Sequence, residues 1–228
     1  KYLVFRNIQK FRNIADIELV MPNGGAWKWA EAICGLVGTL TEELVDADAM
    51  AKDSKTEIRV LSAILKQYQQ LLTDENLIDF AKIQTECFRL LKENPAILSD
   101  LQEKIHYLMI DEYQDTNYIQ EQIIFMLGEK HGNICVVGDD DQGLYRFRGA
   151  TIRNILEFPH KFKDGACKII PLTVNYRSNS DIVDFYNEWI STTDGAKFKF
   201  EWKNFRYPKH IVPFKHTDMN SKAVVKLA

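Results

Sequence analysis

Three short apolar runs in this 228-residue chain each stop abruptly at a polar cluster, and a helical stretch separates the first two. The runs are Ile105–Ile110, Ile134–Val137 and Lys168–Leu172. The clusters that follow are Asp111-Glu112-Tyr113-Gln114-Asp115-Thr116, the stretch from Gly138 to Ala150, and Thr173-Val174-Asn175-Tyr176-Arg177-Ser178. Short buried strands alternating with helices predict a parallel sheet with crossover helices. In such sheets the working groups lie just beyond the carboxyl ends of the strands, where these clusters stand.

The sequence before Lys104 is helical. Trp29, Ile33, Leu36, Leu40 and Leu44 recur three and four residues apart and predict one helix from Trp27 to about Met50. Ile58, Leu61, Leu65, Tyr68 and Leu72 predict a second over Thr56–Leu72. A third runs from about Glu75 to Lys92 with Phe80, Ile83, Cys87 and Leu90 on its buried stripe. Asn94-Pro95 ends it and starts a short successor, because proline is tolerated in the first helical turn. Further on, Tyr118–Leu127 reads as a helix. Ser180 is a plausible cap for another, with Ile182, Phe185, Tyr186 and Trp189 inward.

A hydrophobic content of 46% supports a packed core, and a formal net charge of −3 excludes a histone-like polycation. No apolar run approaches the ~20 residues that span a bilayer, so the expected setting is the cytoplasm. Cys34, Cys87, Cys135 and Cys167 stand far apart without a CxxC pair and read as reduced core residues.

Each cluster has a chemical and a plainer reading. Asp111 and Glu112 at the end of a buried strand can hold Mg²⁺ and deprotonate a water. An acid-rich helix start, favoured by the helix dipole, is the plainer and weaker alternative. In the second cluster Tyr145 and Phe147 interleave with Arg146 and Arg148, which suits stacking on the bases of single-stranded nucleic acid. An ordinary loop with an aromatic anchor is the alternative. Arg177 can reach a phosphate and Tyr176 can stack on a purine, although NYRS alone reads better as a surface loop. From Lys197 to His216 six Lys/Arg alternate with aromatic residues. That pattern fits a nucleic-acid strip or, better, a half-buried strand.

In this order DEYQDT, GDDDQGLYRFRGA and LTVNYRSN resemble the second, third and fourth motifs of the UvrD/Rep-type superfamily 1 DNA helicases. Leu77-Ile78-Asp79-Phe80 resembles the element before that family's second motif. The resemblance implies an α/β fold: a partial RecA-like (P-loop NTPase type) parallel sheet with flanking helices plus an α-helical subdomain. Residues 1–76 would be a helical insertion, 77–191 the later half of a first RecA-like domain, and 192–228 the connection into a second.

The resemblance also implies ATP and Mg²⁺ as cofactors. Asp111 would hold the metal through water, with Glu112 beside it activating the attacking water. Gln142 would sense the γ-phosphate, Tyr176 would stack on adenine and Arg177 would be an arginine finger. Tyr145, Phe147 and Arg148 would contact DNA, with Phe147 where many relatives have tryptophan. Gln114, Asp115 and Asn175 would knit the motifs together. The expected partner is single-stranded or 3′-tailed duplex DNA, with 3′-to-5′ movement, in repair or replication alongside other such proteins.

No GxxxxGK[ST] phosphate loop occurs in these residues. Gly35-Leu-Val-Gly-Thr-Leu-Thr lacks the lysine and reads as helix core. The chain is therefore expected to be a monomeric internal fragment of a longer helicase, inactive alone. A P-loop-less DNA- or partner-binding module, or a helicase-like subunit of a helicase–nuclease complex, are the competing readings.

Overall fold

A computed structural model describes residues 1–143, 152–163, 165–192, 207 and 209–216. They fall into two compact units, Lys1–Ile155 and Leu156–Ala228. Neither 76/77 nor 191/192, the segment limits read from the sequence, is a boundary between these units. Among the described residues no helix is long and apolar enough to cross a membrane.

The first unit begins with α1 (Tyr2–Arg6), α2 (Ile8–Arg12), α3 (Ala26–Glu42), α4 (Ala47–Met50) and α5 (Thr56–Asp74). Val4, Ile8, Phe11, Ile33, Val37, Ile64 and Leu65 from these helices close around one apolar core. The stripe predicted on α3 is borne out at Ile33, but the helix does not run on to Met50. Leu44 takes φ +52°, Val45 N–H donates to the Leu40 carbonyl and Leu44 N–H to that of Thr41. This left-handed cap closes α3, and the Asp46 side chain then caps α4 through the amides of Asp48 and Ala49. A second cap of the same kind, with Asn76 at φ +51°, closes α5.

The next helix, α6 (Phe80–Glu93), therefore starts later than expected, at Asp79, whose carboxylate accepts from Lys82 N–H. Its buried side is Ala81 and Leu91, not the predicted Phe80, Ile83, Cys87 and Leu90 stripe, and Phe80 is 87% exposed. Pro95 opens α7 (Pro95–Lys104) as expected.

Strand β1 (Leu108–Ile110), α8 (Tyr118–Gly128) and β2 (Ile134–Val136) form the predicted strand–helix–strand unit. The strands are parallel, with Leu108, Met109 and Ile110 opposite Ile134, Cys135 and Val136. An Asn117–Gln120 capping box starts α8. At its end a Cβ on Gly128 would meet Ile134 at 2.6 Å, so glycine lets helix and strand approach. Met109 and Cys135, paired in register, are both exposed. Cys87 is exposed too, and Cys34 and Cys167 are half-buried, so none of the four cysteines, all free thiols, is a fully buried core residue.

Helix α9 (Ile152–Glu157) spans the unit boundary. The second unit holds β3 (Val174–Asn179), α10 (Ser180–Thr192) and β4 (Val212–Lys215). Here the strand prediction fails. Residues 168–173 are irregular, and the tetrapeptide expected as a loop is itself strand, paired in parallel with β4. Pro171 lacks an amide hydrogen for a ladder, whereas β4 supplies a partner starting at Val174. The inward face of α10 is also corrected: Val183 is buried, while Ile182, Phe185 and Trp189 are exposed.

Candidate functional site

At the carboxyl end of β1 the chain turns sharply. Asp111 Oδ1 accepts from Glu112 N–H at 2.9 Å, and Glu112 takes φ +50°. A left-handed glutamate is uncommon and is held here by the surrounding bonds. Tyr113 N–H donates to the Val137 carbonyl at 2.9 Å, sewing the turn onto β2. The Tyr113 ring is fully buried and its hydroxyl donates to Glu121 Oε1 at 3.1 Å. Burial, reinforced by the Glu121 carboxylate, raises the Tyr113 phenol well above its ordinary range. Two predicted residues, Asp111 and Glu112, are thus left exposed above a turn whose anchor is buried.

Gln114 connects this turn to the next. Its side chain is 1% exposed and both ends are used. Nε2 donates to Glu112 Oε2 at 2.6 Å, and Oε1 accepts from Asp139 N–H at 3.0 Å. Asp139 in turn accepts from Gln142 Nε2 at 2.7 Å through Oδ2 and from Asp141 N–H at 3.1 Å through Oδ1. A hydrogen-bonded path therefore runs from Glu112 through Gln114 and Asp139 to Gln142. Gly138 is required for it, since a Cβ there would lie 2.5 Å from Gln114 Oε1 and 2.8 Å from Ile155 Cδ1.

Asp139 stands outside the motif roles, and its one local signal is its place just past β2, directly after Gly138. Asn154 is a second such residue: buried, it donates to the Thr116 hydroxyl at 3.2 Å and to the Asn117 carbonyl at 3.2 Å, fixing the far side of the turn. Nothing in the local pattern marks it.

Asp111 and Glu112 offer exposed, hard carboxylate oxygens on adjacent residues, a donor set that fits Mg²⁺ held through water. Asp115 Oδ1, close by in the chain, is a buried acceptor without a hydrogen-bond donor among the described residues. The carboxylates of Asp139, Asp140 and Asp141 lie within 4.8 Å of one another. Asp139 is already committed to capping its own turn, so this trio is explained without a cation.

In the second unit β3 carries Tyr176 and Arg177 within an irregularity. Asn175 is opposite Pro213 and Asn179 opposite Lys215, so Tyr176, Arg177 and Ser178 share the single β4 residue Phe214. Such bulges re-aim side chains. The Asn175 side-chain oxygen accepts from Arg177 N–H at 2.9 Å and Ser178 N–H at 2.8 Å, serving amides that the distorted ladder releases. Tyr176 and Arg177 are exposed. Tyr145, Phe147 and Arg148 lie outside the described residues, as does most of the basic segment from Lys197. Of that segment, Val212–Lys215 forms β4.

The family model described as UvrD/REP helicase N-terminal domain matches residues 6–163. The chain is similar to the ATP-dependent DNA helicase PcrA of Bacillus subtilis (strain 168), 34% identical over 172 residues, 75% of this chain and 23% of that protein. Proteins of the same name from Staphylococcus epidermidis (strain ATCC 35984) and Staphylococcus aureus (strain Mu50) are 35% and 34% identical over 169 residues, 74% of this chain and 23% of theirs. The chain thus spans about a quarter of the length of these relatives. With the matched family region covering both the Glu112 turn and the Gln142 turn, the chain belongs to the UvrD/REP helicase family.

Proposed function

We propose that the chain is the part of an ATP-dependent DNA helicase in which nucleotide hydrolysis is triggered and linked to grip on DNA. The observation that carries this reading is the Glu112–Gln114–Asp139–Gln142 path, which ties a general-base position to a phosphate-sensing position. The names of the relatives, ATP-dependent DNA helicase, support the same activity. In this reading residues 1–76 are a helical insertion, 77–191 the later half of a RecA-like domain, and 192–228 the lead into a second. The protein works in the cytoplasm on single-stranded or 3′-tailed duplex DNA, moving 3′ to 5′.

Mg²⁺ and ATP, when bound, supply the transferable phosphoryl group and neutralise charge on its oxygens. Asp111 would hold Mg²⁺ through water. Glu112, held by the Gln114 amide, takes the proton of the attacking water. Gln142 stands between that path and the sequence that follows it, which bears Tyr145, Phe147 and Arg148, the residues read as contacting DNA, and links phosphate sensing to grip on DNA. Tyr176 stacks on the base, and Arg177 brings a positive charge to the transferring phosphate.

The test is made in the full-length protein. Glu112→Gln should abolish hydrolysis while leaving nucleotide affinity nearly intact, because size and hydrogen bonding are kept and the base is removed. Arg177→Ala should lower turnover by about 10³-fold or more. Equal loss of affinity and turnover in the first, or full turnover in the second, removes that residue from the chemistry.

A further inference from the structure

Tyr176 sits on a bulge and is 64% exposed, a setting in which an aromatic side chain ordinarily samples several rotamers. Here it has an aromatic neighbour on one side. The Phe214 ring lies 4.9 Å away, centroid to centroid, at an interplanar angle of 41°. Phe214 is the one β4 residue opposite the three-residue bulge, so the ladder itself sets the two rings side by side.

Strand β4 is anchored on both flanks. Asn187 on α10 donates to the Ile211 carbonyl at 2.8 Å and accepts from Ile211 N–H at 3.3 Å. Val212 N–H donates to the Thr173 carbonyl at 2.8 Å, and Lys215 Nζ reaches the Arg177 carbonyl at 3.4 Å. The Phe214 backbone is therefore held in register beside the bulge, and its ring, itself 63% exposed, contributes little as a core residue.

We infer that Phe214 is a positioning residue that holds the Tyr176 ring in its stacking orientation for a purine nucleotide. The inference rests on the reading of Tyr176 as the nucleobase platform and adds to it the residue that pre-orders that platform. A ring already braced loses less freedom when a base stacks on its open face, so affinity for a nucleotide with a base rises. Affinity for a phosphate chain lacking a base is untouched.

The experiment compares Phe214→Ala, Phe214→Tyr, Tyr176→Ala and the double alanine variant in the full-length protein. The readouts are KM for ATP, kcat, and inhibition by inorganic tripolyphosphate. Aromatic pairs contribute enough that Phe214→Ala should raise KM roughly three- to tenfold. Turnover and the tripolyphosphate inhibition constant should stay put, Phe214→Tyr should restore KM, and the double variant should match Tyr176→Ala. A raised KM in Tyr176→Ala with an unchanged one in Phe214→Ala overturns this inference alone. An unchanged KM in Tyr176→Ala overturns the platform reading and takes the bracing role with it. Equal weakening toward ATP and tripolyphosphate reduces Phe214 to a structural residue. If Phe214→Ala does not fold, Phe214→Leu keeps bulk without a π-face and should still raise KM; a wild-type KM in that variant overturns the inference.

Discussion

Gln114→Glu changes one atom type at the centre of the path between Glu112 and Gln142. The buried side chain keeps its shape, and the bond from Asp139 N–H at 3.0 Å survives. At the other end an amide donor 2.6 Å from Glu112 Oε2 becomes an oxygen facing an oxygen. Two carboxylates that close cannot both be ionised, so the introduced carboxyl retains a proton to higher pH than the ~4.3 of a free glutamate. Each unit of that rise costs about 1.4 kcal/mol of stability once the pH exceeds the folded value. A rise of about two to three units, modest for a buried acid beside a like charge, gives a loss of about 3–4 kcal/mol at pH 8. For a chain of this size that lowers Tm by roughly 10 °C.

The sign follows from the direction of the shift. Below the unfolded value both states are protonated and the variant keeps a hydrogen bond, so it should melt near wild type. As pH rises the unfolded state releases the proton first, and the penalty grows until the folded value is passed. Thermal melts of the variant and wild type at pH 5 and pH 8 should therefore show a gap that widens with pH. Gln114→Leu, which loses both bonds without adding charge, should show a gap of about 2–4 kcal/mol that hardly changes over the same range. A Gln114→Glu variant that melts with wild type at pH 8, or shows the same offset at both pH values, would refute the path through buried Gln114.

Gly138→Ala should cost about 1–3 kcal/mol in a urea titration, since its Cβ would press on Gln114 Oε1 at 2.5 Å and Ile155 Cδ1 at 2.8 Å; an unchanged midpoint would mean the turns are not so close. Burial, aided by the hydrogen bond to Asp79, raises the Tyr68 phenol, and Tyr113 is raised likewise. Stability present below about pH 10 should then fall as pH climbs further, with Tyr68 and Tyr113 ionising only on unfolding. Ultraviolet titration alongside circular dichroism checks this, and ionisation of all nine tyrosines with the fold intact would contradict it. Iodoacetamide should modify the exposed Cys87 and Cys135 before the half-buried Cys34 and Cys167, as followed by mass spectrometry.

The sequence alone located α5, α8, β1 and β2, because periodicity and caps such as Asn117–Gln120 act over a few residues. It also identified the ordered clusters around Glu112 and Gln142, since a strand delivers its next residues to its carboxyl end whatever surrounds it. Tertiary contacts decided the rest. A helix with two apolar sides has no local reason to bury one of them, and in α6 packing chose Ala81 and Leu91 over the Phe80 stripe. Residues 168–172 look more strand-like than Val174–Asn179, yet a strand exists only where a partner lies, and β4 lies against the latter. The bonds that make the site, Gln114 to Asp139 and Asn154 to Thr116, join residues 25 and 38 positions apart. No short-range pattern encodes such pairs; they follow from β2 lying beside β1 and α9 returning to the Thr116 turn.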